Sequence, residues 1–223
     1  MNPACAGLWE SLLELEITHG KHSSPVRIAS TRFGEIAVSR DFIWEFPEGL
    51  IGLRSFKNFA LVNTSDESES IFIWLHSTTR GDLALPVMNP LKLFPEYTIR
   101  QDEPGIIRLG LKGVKEVQVL VIVTVPSGDP EGITANLVAP LILCPERKLG
   151  WQVILEKGPY RVAQPIFPGR DIEYKEGENI VSVGTLSPPV AIIKEPADVR
   201  RSKSIVQAHI RAEEVVSPPE NGA

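Results

Sequence analysis

Apolar residues between positions 31 and 168 fall into short runs rather than long periodic faces. "EIAVSRDFIWEF", "FALVN", "IFIWLHS", "LALPVMN", "YTIRQ", "IIRLGL", "VQVLVIVTV", "ITANLVAPLIL" and "WQVIL" are rich in Val, Ile, Phe and Trp and are bounded by Gly, Pro, Asn or Asp. That is the composition of strands separated by turns. "EIAVS" alternates, as a half-buried strand does. "VQVLVIVTV" is almost wholly apolar and predicts a central strand covered on both faces. Turn chemistry sits between the runs, at Pro47-Glu48-Gly49, Asn89-Pro90, Pro104-Gly105 and Ser127-Gly128-Asp129-Pro130. Only "RSFKNFAL" (54–61) and "NPLKLFPEY" (89–97) suggest a helical turn. Strands do not alternate with helices, so a doubly wound sheet is not expected. The prediction is an all-β domain: a compact antiparallel β-barrel with one or two short helical turns.

The flanks differ from this block. Residues 1–30 read as an N-terminal extension, in which "LWESLLELEI" predicts about two turns of amphipathic helix with Leu8, Leu12, Leu13 and Ile17 near one face. Residues 169–223 are Pro-rich and charged, and predict a weakly ordered tail in which "KSIVQAHIRAEEVV" could form a short helix.

Composition narrows the function. A chain of 223 residues suits one large domain, or one domain with appended tails. The net charge of −5 argues against nucleic acid as a direct partner, and the nearest basic cluster is the short "VRRSKS" at 199–204. Cys5 and Cys144 stand far apart in unlike contexts, which suggests neither a disulfide framework nor a metal site. No secretory signal is evident and the longest apolar run is too short to span a bilayer, so a cytoplasmic monomer is expected.

Candidate chemistry is sparse. His19 and His22 share a loop without further ligands nearby. His76 and Ser77 are adjacent on a strand, so their side chains point to opposite faces and cannot form a nucleophile–base pair. The carboxylates Glu45 with Glu48, or Asp82 with Glu96, could approach one another as in a small hydrolase, although such groups are ordinarily solvated surface. No catalytic, cofactor-binding or metal-binding residue is assigned.

Longer motifs carry a resemblance. "TRFGEIAVSRDFIWEFPEGLIGLRSFKNFAL" resembles the opening of the flagellar assembly factor FliW family, with its Phe-Gly-Glu-Ile strand and Phe-Pro-x-Gly-Leu-x-Gly element. "FIWLHSTTRGDLALPVMNPLKLFPEYTI", "VLVIVTVP", "ITANLVAPLILCPERKLGWQVIL" and "YRVAQPI" are similar to its later segments in order, covering about residues 30–166. Two local departures stand out. His76 occupies a position where the family often has Gln, and Leu85-Pro86 replaces a Phe-Val type of step, which predicts an edge or bulged strand.

The resemblance implies a non-enzymatic protein that binds the translational repressor CsrA, relieving repression of flagellin mRNA, and binds flagellin as a competing partner. It needs no cofactor. Candidate contact residues are Glu45, Glu48 and Asp82, acidic groups suited to a basic partner, together with Asn89, Pro90, Phe94, Glu96, Tyr97, Asn136 and Pro140. Each has a structural alternative: Pro47 and Gly49 make a tight turn anchored by Phe46 and Leu50, and the Asn-Pro and Phe-Pro-Glu-Tyr residues serve equally well as loop anchors. In the tail, "YKEGENIVSVG" is faintly similar to the opening of CsrA itself. A second reading therefore makes the protein an RNA-associated regulator acting through that tail.

Overall fold

The computed structural model describes residues 24–63, 71–111, 117–129, 131–167, 180–181 and 191–192. The helices expected near 8–17 and 203–216, and most of the tail, lie outside these residues. The strands are β1 (Val26–Ser30), β2 (Gly34–Val38), β3 (Ile43–Glu45), β4 (Asn58–Asn63), β5 (Phe72–Ser77), β6 (Ala84–Met88), β7 (Ile99–Arg100), β8 (Gln118–Thr124), β9 (Thr134–Ala135), β10 (Leu141–Cys144), β11 (Leu149–Gln152), β12 (Gln164–Pro165), β13 (Ile180–Val181) and β14 (Ala191–Ile192). Helix α1 is Pro104–Leu109.

Strands β3, β4, β5, β6, β8, β10 and β11 form a ring, closed because β10 pairs with both β11 and β8. An odd number of strands cannot alternate in direction all the way round. One joint must be parallel, and it is the joint between β11 and β3, at Leu149 and Glu45. The expected barrel is present, with this one parallel joint in its ring; outside the ring β14 also adds to β4 in parallel.

Alternation along the strands sorts side chains into separate cores. Phe59, Leu61, Ile73, Leu75, Val87, Leu120, Leu141 and Leu143 point inward, where Trp44, Phe46 and Leu50 join them. Ala60, Val62 and Trp74 point outward and are covered by Ile28, Phe33, Ile36 and Val38 of the β1–β2 hairpin. On another side Val119, Val121, Val123 and Ile142 are covered by Phe94, Tyr97, Ile99, Ile166 and Phe167. Central strands are therefore apolar on both faces, as "VQVLVIVTV" predicted.

The segment at 54–61 is not helical. Asn58 begins β4, whose successive residues must feed two cores in turn, and only an extended chain does that. A 3-10 turn does form at Pro90–Lys92 within the second expected helical stretch. "IIRLGL", read as a strand, instead lies mostly in α1. Pro104 sits in its first turn, where a missing N–H costs nothing, and Gly110 ends it in the left-handed region at φ 58°.

Pro86 is neither at an outer edge nor in a bulge, since β6 lies between β5 and β8 in unbroken register with β5. The Ser77 N–H donates to the Leu83 carbonyl at 2.9 Å, which sets the ladder phase. By that phase Leu85 and Val87 bond to β5, while Pro86 faces the β8 flank. The pairing with β8 covers only Val87 and Met88, so the missing donor falls where no ladder runs.

His76 latches the hairpin to the barrel. It is fully buried. Nδ1 lies 2.7 Å from the Ser77 carbonyl and Nε2 lies 2.8 Å from Ser30 Oγ. Ser30 Oγ also accepts from the Arg32 and Phe33 amides. The carbonyl can only accept, so Nδ1 carries the proton and Nε2 accepts from Ser30. This arrangement requires a neutral ring, and burial lowers the His76 pKa below the ordinary 6.5. A pKa lowered on folding means that the unfolded chain takes up the proton first as pH falls. The latch contributes in full above pH 6.5, and its contribution declines as pH drops towards the lowered folded-state pKa. We expect urea midpoints at pH 7 and pH 5 to differ more for the unchanged chain than for His76→Gln; equal differences would show that the ring carries no such linkage.

Candidate protein-interaction surface

The loop from Phe46 to Lys57 caps one end of the barrel through consecutive turns. The Gly49 N–H donates to Phe46 O at 2.8 Å, Leu53 N–H to Leu50 O at 2.8 Å, and Phe56 N–H to Leu53 O at 3.2 Å. Phe46 N–H then donates to Lys57 O at 2.7 Å and closes the base of the loop. Gly49 and Gly52 take φ of 70° and 80°, left-handed values that turns of this kind assign to glycine. Phe46 and Leu50 enter the barrel core as anchors. Ile51, at the outer corner of the second turn, is 52% exposed.

Charged and half-buried groups share this end of the barrel with Ile51. Leu53 and Phe56 are partly buried against the barrel core, and the Arg80 guanidinium lies 5.5 Å from the Phe56 ring centroid. Glu45, Glu48, Arg54 and Arg80 are exposed around this end. The Lys57 ammonium donates to Pro47 O at 2.7 Å. Asp82 accepts from Arg80 Nε and Nη2 at 2.7 and 2.9 Å, and these bonds hold its carboxyl below the ordinary carboxylate value. Both signs of charge are represented, so the rim is mixed and not simply acidic.

Gln152 joins this loop to its neighbour. Its Oε1 accepts from Ile51 N–H at 2.8 Å and its Nε2 donates to Ala139 O at 3.2 Å. Ala139 belongs to the bulge at 136–140 that interrupts β9 and β10, both paired with β8. Asn136 Oδ1 accepts from Ala139 N–H at 3.0 Å and shapes that bulge, in which Pro140 is buried. Two residues beyond Gln152, Ile154 is 54% exposed.

The strand directions thus bring Glu45, Glu48, Asp82, Asn136 and Pro140 to one end of the barrel. Asn89, Pro90, Phe94, Glu96 and Tyr97 lie on the connection that leaves the opposite end of β6. Asn89 Oδ1 accepts from Leu91 N–H at 3.0 Å and caps the 3-10 turn that Pro90 opens. Phe94 and Tyr97 are buried, and the Tyr97 hydroxyl donates to Leu137 O at 2.9 Å. Glu96 is exposed. Asp82 therefore precedes β6 while Glu96 follows its far end.

Sequence reading missed several of these residues. Ile51 was not among the candidate contacts, although Leu-Ile-Gly-Leu read as a turn places it outward. Gln152 carried no signal, because its partner is 101 positions away in the chain. Glu103 was also missed: it is 1% exposed, and its carboxylate accepts from the Glu156 and Lys157 amides at 2.9 and 3.0 Å, pinning the start of α1 to the loop that follows β11. Among the described residues no group of three or more His, Cys, Asp or Glu could hold a metal ion. No helix among them is long and apolar enough to cross a membrane.

Comparison with known proteins agrees with this architecture. A flagellar assembly factor FliW from Leptospira interrogans is 38% identical over 148 residues, which is 66% of this chain and 97% of that protein. One from Natranaerobius thermophilus is 34% identical over 142 residues, 64% of this chain and 93% of that protein. A crystal structure of the flagellar assembly factor FliW superposes with a TM-score of 0.56 at 32% identity, covering 64% of this chain and 97% of the other. The FliW protein family matches residues 27–166, the stretch that builds the barrel and its capping loop, and this chain belongs to that family.

Proposed function

We propose that the protein is a cytoplasmic flagellar assembly regulator that binds a CsrA-type translational repressor and, in competition, flagellin, so that flagellin synthesis follows assembly. It acts by binding and carries out no reaction. Family membership supports the flagellar role. The observation that favours a docking surface is the turn-built end of the barrel, where Ile51 is held outward at 52% exposure amid charges of both signs. A protein-binding patch takes this form, with an apolar anchor inside a polar rim. Glu45 and Glu48 stand on that rim as candidate contacts, and Arg54 and Ile51 join them. The buried Pro140 would shape this surface from beneath, whereas Asn89, Pro90, Phe94 and Tyr97 anchor the loop at the opposite end of β6.

The test is co-elution of the purified chain with CsrA or flagellin from the same cell at micromolar concentration. Failure with both partners would remove the regulatory reading. Ile51→Asp is expected to weaken the interaction on the order of tenfold or more, as loss of a central apolar contact does. Its thermal midpoint should stay close to that of the unchanged chain, because the side chain is exposed. Unchanged affinity would move the docking surface elsewhere on the barrel.

A further inference from the structure

One flank of the barrel is completed by a strand from outside the family-matched region. β3 pairs with β4 only from Asn58 to Ala60. Further along the same flank, β14 adds in parallel, with Ala191 opposite Val62 and Ile192 opposite Asn63. The hydrogen bond from Phe46 N–H to Lys57 O sets the ladder phase on this side of β4. Bonding positions recur every second residue, so Phe59, Leu61 and Asn63 direct their backbone groups to this flank. A parallel strand lying here bonds through the residue opposite Val62, which is Ala191.

The side chain at that position is confined as well. Ala191 is 7% exposed and packs in one cluster with Ile28, Phe33, Val38, Ala60, Val62 and Trp74. A small apolar residue is accommodated between hairpin and barrel; a charged one would be buried without a partner. The same C-terminal segment pairs a second time, with Ile180 opposite Arg100 and Val181 opposite Ile99. None of this segment lies in the family-matched stretch. The family match ends at residue 166, and the Leptospira interrogans protein is covered over 97% of its length by 148 residues of this chain. The edge belongs to the family domain, and its occupant is an appended part of this chain.

We infer that Leu61–Asn63 is a docking edge for an extended apolar peptide with a small residue opposite Val62, and that this chain's own segment around Ala191 occupies it as a tethered competitor. A single strand flank takes a single neighbour, so an external peptide and the tethered segment exclude one another. Covalent attachment presents the segment at an effective concentration on the order of millimolar. An outside peptide must displace it. The inference is independent of which proteins the capping loop binds, and its test uses neither CsrA nor flagellin.

The experiment keeps the full chain and evicts the strand with Ala191→Asp. The probe is a fluorescent synthetic peptide spanning Ser187 to Pro196, followed by anisotropy. The variant is expected to bind the peptide at least about tenfold more tightly than the unchanged chain, whose edge is already filled. Amide exchange at Asn63 should speed up in the variant and slow again when peptide is added. Ala191→Pro, which lacks the N–H directed at β4, should behave in the same way. A peptide with Asp in place of its alanine should bind neither form. Equal peptide affinity for the unchanged chain and both variants, no binding to any of them, or Asn63 exchange unaltered by both substitutions would overturn the inference.

Discussion

Shortening Phe46 to alanine is expected to cost about 3–5 kcal/mol of folding stability, the range for emptying a buried aromatic site. That is a large share of the roughly 5–15 kcal/mol that holds a typical domain together. Phe46 has 0% exposure and meets Phe59 edge to face with centroids 5.4 Å apart. It also presses on backbone: a Cβ built on Gly150 would lie 2.6 Å from the Phe46 Cζ atom, so the ring fills the space that a side chain there would need. The walls around it are hydrogen-bonded strands of a closed barrel, which cannot collapse freely into the cavity. The cost should therefore fall in the upper part of the range. Urea unfolding monitored by tryptophan fluorescence would read it as a lowered midpoint at unchanged slope. A loss below about 1 kcal/mol would mean that the capping loop settles into the vacated space.

Gly49→Val should be nearly as damaging, on the order of 3 kcal/mol, through strain instead of a cavity. At φ 70° an L-residue loses about 1–2 kcal/mol. The added Cβ would also stand 2.7 Å from Arg54 Cα and 2.8 Å from Arg54 O, backbone atoms that a rotamer change cannot move aside. Gly52 provides the internal control. Its φ is 80°, but a Cβ there meets nothing within 4 Å. Gly52→Ala should cost only the dihedral, about 1 kcal/mol. The gap between Gly49→Ala and Gly52→Ala in thermal or urea unfolding then measures the clash with Arg54. If the two substitutions cost the same, the turns are not chained as tightly as their hydrogen bonds indicate. Because the first turn sets the position of Ile51, Gly49→Val should also weaken partner binding.

Much of the barrel was legible because strand chemistry is local. Val-rich and Ile-rich runs, and turn residues between them, announce extended segments wherever they occur: β5, β6 and β8 fall within the runs read as strands, β4 and β10 exceed theirs by one residue, and β11 shares only Trp151 and Gln152 with "WQVIL". The errors share a cause. "RSFKNFAL" and "IIRLGL" have apolar spacings compatible with a helix or a strand, and what decided between them was which cores each had to reach. In α1, Gly105 comes so close to Val153 that a Cβ would lie 2.2 Å from its Cγ1, a constraint arising from a residue 48 positions away. The hairpin's covering of Trp74, and the burial of His76 against Ser30, were invisible for the same reason. The candidate surface was legible only in part. Glu45 and Glu48 could be picked out as turn-flanking carboxylates, whereas the outward position of Ile51 rests on Gly52 and on Gln152.

What the sequence determined by itself was the strand content, the family and the Phe-Pro-Glu-Gly-Leu turn, since each depends on residues close together in the chain. Only the tertiary structure decided the parallel joint that closes a ring of seven strands, the face each apolar residue occupies, and the pairing of Ala191 with β4. These are outcomes of closure and of packing between distant segments. A strand's own residues specify that it is extended, but its neighbours on either flank are chosen by whichever backbone groups the rest of the fold leaves unpaired.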